Sequence, residues 1–234
     1  MRFIHSSILQ PLRDFIFVTS CFSCGMPLLE HESRVCARCW NSMTRVGKTD
    51  YTIAVLKQRF DEGGVVEDLR TMFYFEKGKV LQQLAHCLKY EEITAIGFEL
   101  GARLSEQLKD KNFDAVVPIP LNKRKERERG YNQSDFIARG IASVIRIPVV
   151  NTVLRRVKYT VTQTRLNAEQ RKENMSEAFE ISNGSLVREK HILLVDDVIT
   201  TGSTIQEAAK VLRQAGAASV TAGSAGLAKL GEDV

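Results

Sequence analysis

The stretch His191–Thr204, HILLVDDVITTGST, decides how this 234-residue chain is read. Ile192–Val195 is a short apolar run of the kind that forms a buried strand, and it empties into two acids, Asp196 and Asp197. A hydroxyl-rich turn follows, and then a helix start, with Thr204 and Glu207 at capping-box spacing. Ile205, Ala208, Ala209, Val211, Leu212 and Ala215 supply its apolar face, and Gly216 supplies its stop. Backbone N–H groups at a helix N-terminus lack intrahelical partners and favour an anion. Gly202 lets the backbone approach such a ligand, and Thr200, Thr201, Ser203 and Thr204 add hydroxyl donors. Two carboxylates beside an anion cradle do not bind phosphate themselves. They suit sugar hydroxyls, or a divalent cation bridging sugar and phosphate. A Walker loop is excluded, because no Gly-Lys-Ser/Thr follows.

Asp196–Thr204 resembles, without a gap, the phosphoribosyl-pyrophosphate (PRPP) motif of the type I phosphoribosyltransferases. The resemblance implies that Asp196 and Asp197 contact the ribose hydroxyls, with Mg²⁺ accompanying PRPP. It also implies that Thr200, Thr201, Gly202, Ser203 and Thr204 hold the 5′-phosphate.

Working outward, Ala115–Ile119 (AVVPI) reads as a second buried strand beside the first. The basic run from Lys123 to Arg129 follows it, and open α/β sheets bind ligands at the edge where such loops emerge. As a basic loop, it makes Lys123 and Arg124, with Arg127 and Arg129, available to a pyrophosphate group; a charged surface helix is the competing reading. Residues 133–146 carry helical spacing, and Val149–Leu154 reads as a strand. Arg155–Ser176 is polar and basic before a strand at Ala178–Ile181, and so long an excursion suggests a functional lid. Ser219–Ala222 is expected to be the last parallel strand, with 226–234 frayed. Upstream, residues 41–70 are weakly patterned, Thr71–Glu76 reads as a strand, and helices are expected near 79–90 and 94–109.

Nearer the start, Ile8, Leu12, Phe15 and Ile16 suggest an amphipathic helix leading into Cys21-x-x-Cys24 and Cys36-x-x-Cys39. Two such knuckles can complete a closed tetrahedral Zn²⁺ site, structural because no position is left open. A disulfide framework competes with that reading. Cys87 stands alone in a helical pattern as a core thiol. These features divide the chain into 1–45, a helix and four-cysteine zinc finger, and 46–234, the phosphoribosyltransferase-like domain.

Hydrophobic content of 44% and charged content of 26% are those of a globular protein. No apolar run reaches the ~18 residues of a membrane span, so a cytoplasmic protein is expected. The net charge is only +5, but residues 123–172 hold thirteen Lys/Arg against four Asp/Glu. So concentrated a basic field implies an anionic substrate or nucleic acid.

In its order of motifs the chain is similar to the ComF family, a phosphoribosyltransferase-like group that includes proteins of bacterial DNA uptake. The similarity rests on the paired knuckles, Val117-Pro-Ile-Pro120, Arg127-Glu-Arg-Gly-Tyr-Asn-Gln133, Thr162-Gln-Thr-Arg-Leu166 with Arg171-Lys-Glu-Asn174, and the motif ending at Thr204. It implies an α/β, Rossmann-like type I phosphoribosyltransferase core with a parallel sheet, preceded by a small zinc-binding module. It further implies an active-site loop around Thr162–Asn174 that adds Arg171 to the catalytic set of Asp196 and Asp197. PRPP is the implied ligand, with single-stranded DNA and DNA-uptake proteins as possible partners. Transfer to a nitrogenous acceptor, PRPP-responsive regulation and single-stranded DNA handling remain open as functions.

Overall fold

A computed structural model describes residues 20–47, 49–157 and 178–229. Four parallel strands form the central sheet in the order β1–β6–β5–β2: β1 (Asp68–Phe75), β2 (Ala115–Pro118), β5 (His191–Ile199) and β6 (Ser219–Ala228). β3 (Leu154–Arg156) and β4 (Phe179–Ile181) pair antiparallel in a separate two-stranded sheet. The helices are α1 (Ala37–Ser42), α2 (Tyr51–Gly63), α3 (Val80–Tyr90), α4 (Thr94–Leu104), α5 (Lys123–Arg129), α6 (Gln133–Ile145) and α7 (Ser203–Gln214).

Side chains alternate across a strand, and β5 uses both faces. Ile192 and Leu194 join the core that also holds residues of α2 and α7, whereas Leu193 and Val195 join the core under α3, α4 and α6. Burial on both faces explains why Ile192–Val195 is continuously apolar. On the second face α4 and α6 meet through glycine: a Cβ on Gly101 would lie 2.0 Å from Ile137 O, and one on Gly140 2.0 Å from Phe98 O. That approach seats the N-terminal turn of α6 against β5.

Several sequence expectations shift. The stretch thought weakly patterned contains α2, whose Ile53, Leu56 and Phe60 are buried. β1 begins three residues before Thr71, since buried Asp68 is held by Lys57 at 2.7 Å and Arg70 at 2.8 Å. Val149 makes only an isolated bridge to Val116, and the strand proper starts at Leu154. β6 continues through Ala228, where fraying was expected, because β1 and β5 flank it on both sides.

The four-cysteine segment packs on the second core. Trp40 stacks on Phe73 at 6.2 Å and donates through Nε1 to Glu99 at 3.1 Å, with the Arg103 guanidinium 4.0 Å from its ring centre. Burial pushes the Glu99 carboxyl upward, against the pull of Arg103 and Trp40. Residues 44–46 then run antiparallel to β1, through Tyr74 N to Thr44 O at 2.9 Å and Val46 N to Met72 O at 3.1 Å. They cover an edge that would otherwise present unpaired backbone groups. Among the described residues no helix is long and apolar enough to cross a membrane.

Candidate functional site

Asp196 and Asp197 sit near the C-terminal end of β5, with Asp196 in register with Ser224 of β6. Asp196 Oδ1 accepts from Ser134 Oγ at 3.0 Å and from the Asp197 backbone N–H at 2.9 Å. Burial, with the neighbouring Asp197 charge adding to it, pushes its carboxyl up to about 7. Asp197 is also buried, and the Lys89 ammonium of α3 stands 2.5 Å from its Oδ2. The acidic pair is therefore met by a hydroxyl from α6 and a cation from α3. Neither group belongs to the motif that marked the site in sequence.

The turn beyond the acids forms a small polar hollow lined by Asp196 and Val198–Ile205. All five expected cradle residues, Thr200, Thr201, Gly202, Ser203 and Thr204, line it. Thr201 Oγ1 and Ser203 Oγ are 2.9 Å apart. The helix cap differs from the expected capping box. Gly202 is the N-cap at φ +79°, the cap is not made by a side chain, and α7 starts at Ser203. That left-handed conformation favours glycine. A Cβ there would also lie 2.9 Å from the Phe60 ring, so α2 supports the turn from beneath. The N-terminus of this twelve-residue helix and Asp196 share one hollow.

Lys123 and Arg124 lie on a short helix rather than the expected basic loop, because the Asn122 side chain caps it by accepting from Arg124 N at 2.8 Å. Arg124 Nε lies 2.8 Å from Glu128 Oε1, and Arg129 stands over the Tyr90 ring at 5.2 Å. The next residues tie the elements together. Tyr131 OH donates to Leu88 O of α3, and Asn132 Nδ2 donates to Ile119 O at 2.9 Å. Asn132 Oδ1 caps α6 through Ser134 N. Arg171, with the whole expected lid of Thr162–Asn174 and Lys158, lies outside the described residues. At the start of the polar excursion Arg155 is exposed, whereas Arg156 is partly buried, its guanidinium 5.4 Å from the Phe179 ring centre.

Cys21, Cys24, Cys36 and Cys39 converge with their sulfurs all within 4.8 Å of one another, a group able to hold a metal ion. Cys24 and Cys36 Sγ are 3.7 Å apart, and all the cysteines are free, so the disulfide alternative is not adopted. Cys87 is buried in α3, as expected of a core thiol, and burial pushes it up to about 11.

A raised carboxyl has a definite consequence for stability. In the unfolded chain Asp196 titrates near ~4, and in the fold near 7. Its contribution is therefore fully present below about pH 4 and is lost as pH rises through about 7. Asp196→Asn keeps an oxygen for Ser134 and for the Asp197 N–H but removes the charge. It is expected to stabilise the ligand-free protein more at pH 8 than at pH 5, as urea unfolding at the two pH values would read. An equal gain at both would mean that Asp196 is not held protonated.

Comparison with known proteins agrees with this geometry. The phosphoribosyl transferase domain model matches residues 89–229, from Lys89 to the residue after β6. Competence protein F of Haemophilus influenzae is 30% identical over 84% of this chain and 79% of its own. The DNA utilization protein YhgH of Salmonella typhimurium is 32% identical over 87% and 82%. Competence protein ComFC of Bacillus subtilis is 25% identical over 86% and 81%. With its acidic pair above a helix-terminal hollow on a parallel sheet, and four clustered cysteines ahead of it, the chain belongs to the phosphoribosyl transferase domain family, among its ComF-type members.

Proposed function

We propose that this chain binds PRPP with Mg²⁺ at Asp196–Thr204 and serves DNA uptake, with transfer of the phosphoribosyl group to a nitrogenous acceptor as its chemical capacity. The observation that carries the reading is the shared hollow, in which the end of β5 brings Asp196 against the N-terminus of α7. Hydroxyl and backbone donors at Thr200–Thr204 suit the 5′-phosphate, and Asp196 and Asp197 suit the ribose hydroxyls. Mg²⁺, when bound, would neutralise charge on the pyrophosphate. In transfer, the bond from ribose C1 to the pyrophosphate oxygen breaks, pyrophosphate leaves with the bonding pair, and the acceptor nitrogen bonds to C1 and loses its proton. Lys123 and Arg124, with Arg171, are the basic groups we assign to the departing pyrophosphate.

We assign Zn²⁺ to the four cysteines. A tetrahedron with Zn–S arms of ~2.3 Å has edges of ~3.8 Å, which the 3.7 Å between Cys24 and Cys36 fits. The zinc module spans the chain to about residue 45, and the protein works in the cytoplasm on incoming single-stranded DNA with uptake proteins. The relatives' names, competence protein and DNA utilization protein, support a role with DNA. A PRPP-responsive regulator without turnover is the second reading, favoured by the Lys89 ammonium that is already ion-paired with Asp197 before any ligand arrives.

The test is calorimetric titration of the full chain with PRPP, with and without Mg²⁺. One site per chain, tighter with Mg²⁺, is expected, and no binding in either condition would overturn the proposal. Pyrophosphate release on adding nitrogen heterocycles separates transferase from regulator.

A further inference from the structure

Two adjacent carboxylates at the end of a strand ordinarily invite a divalent cation, but Asp197 already carries a cation supplied by the protein itself. We propose that Lys89 is a positioning residue of the acidic pair: its ammonium is a resident counter-ion that leaves Asp197 open to a sugar hydroxyl and closed to a divalent cation arriving alone. The identity of the sugar rests on the PRPP reading above, and the exclusion of the cation rests on the geometry of Lys89.

Lys89 lies in the last turn of α3, where the helix dipole favours a cation. Leu81, Leu84, Cys87 and Leu88 bury the apolar side of that helix. Its end is tied down twice, by Tyr131 OH donating to Leu88 O and by Glu91 N donating to Cys87 O at 3.1 Å. A lysine so anchored holds its ammonium 2.5 Å from Asp197 Oδ2, with 23% of the Lys89 side chain and 11% of the Asp197 side chain exposed. Shelter from water strengthens the attraction. The same charge reaches the neighbouring acid. Burial and the Asp197 charge push the Asp196 carboxyl up, and Lys89 draws it back down. The Arg156 guanidinium of β3 also acts on Asp196 through charge.

A sugar hydroxyl and a metal ion meet this arrangement differently. Asp197 Oδ2 is a buried atom, and among the described residues Lys89 is the group that meets it. A hydroxyl is neutral, donates to a carboxylate and accepts from one of the three N–H donors of an ammonium. It can therefore join the pair without breaking it. Mg²⁺ takes oxygen ligands at ~2.0–2.1 Å, and an ion that close to Asp197 would set a double positive charge against the ammonium in a site sheltered from water. A divalent ion whose charge is already offset by pyrophosphate meets less of that repulsion. Lys89 thus makes the acidic pair a reader of hydroxyls and leaves the metal to arrive with the ligand.

The experiment titrates Mn²⁺ into the full chain, purified without chelator and free of PRPP, and reads unbound Mn²⁺ by electron paramagnetic resonance. Lys89→Gln keeps a donor for Asp197 but removes the charge, and it is expected to bind Mn²⁺ about tenfold or more tightly than wild type, since a like charge has gone. Lys89→Arg restores the cation and should exclude Mn²⁺ as wild type does. The double variant Lys89→Gln with Asp197→Asn should lose the gain. If Lys89→Gln binds Mn²⁺ no more tightly than wild type, or if the gain persists with Asp197→Asn, the counter-ion role is overturned. Tight Mn²⁺ binding by wild type that Asp197→Asn abolishes overturns it as well, without need of a Lys89 variant. Parallel titration with PRPP and Mg²⁺ keeps the two readings apart. A gain in Mn²⁺ affinity with no PRPP binding to any form leaves the role of Lys89 in place and removes the PRPP reading, whereas PRPP binding without that gain does the reverse.

Discussion

Asp197→Ala should weaken PRPP binding ten- to hundred-fold while Glu62→Ala, an exposed charge change on α2, leaves it unaltered. A hydrogen bond between a carboxylate and a ribose hydroxyl contributes ~1.5–3 kcal/mol, which converts to that range in affinity. The starting state enters the reckoning, because Asp197 is engaged by Lys89 at 2.5 Å before ligand arrives. A ribose must share or displace that contact. Truncating Asp197 leaves Lys89, whose side chain is only 23% exposed, without its carboxylate. Asp197→Asn is therefore the companion variant, keeping the shape and one oxygen acceptor while losing the charge. Titration calorimetry at a temperature well below unfolding reads all three. Equal affinity in wild type and both Asp197 variants would remove the acidic pair from ligand binding, whatever the family pattern.

Features written into a few consecutive residues were legible in the sequence. β5 announces itself because burial on both faces demands an unbroken apolar run, and the cysteine pairs announce a metal site by spacing alone. The cap of α7 was misplaced because the capping-box spacing of Thr204 and Glu207 competes with Gly202, and only the packing of the turn on Phe60 decides for glycine. α2 escaped because Lys57, Gln58 and Arg59 interrupt the Leu56–Phe60 repeat, so the contrast between its faces is weak. The α5 helix had a readable signal in Asn122, an N-cap residue directly before the basic run. What no local pattern could supply is the company kept by the acids. Ser134 reaches Asp196 across sixty-two positions, and Lys89 reaches Asp197 from the far side of the sheet order. Such contacts follow from the close glycine crossing of α4 and α6 and from the placement of α3 after β1, which are properties of the assembled fold.

Removal of the metal should release about one equivalent of Zn²⁺ and move the emission of Trp40 to longer wavelengths. Trp40 is the sole tryptophan of the chain, so its fluorescence reports on one place. In the fold it is 5% exposed, stacked on Phe73 and bonded to Glu99, immediately after the ligand Cys39. Cys21, Cys36 and Cys39 are themselves buried, in a segment whose main regular element is the six-residue α1. So short a helix does not hold itself together in water. A bound ion would supply the missing organisation, since metal binding to a site absent from the unfolded chain is folding free energy, ~10–16 kcal/mol for small structural zinc modules. Cys39→Ser should reproduce the red shift without chelator and lower the melting temperature. The core strands β2, β5 and β6 do not depend on the module for pairing and should keep their circular dichroism. The hollow at Asp196–Thr204 is built without module residues, so PRPP affinity should change little. Release of Zn²⁺ with unchanged Trp40 emission would show that the Trp40, Glu99 and Arg103 contacts hold the segment unaided. Protein purified without chelator and found free of metal would refute the ligand set itself.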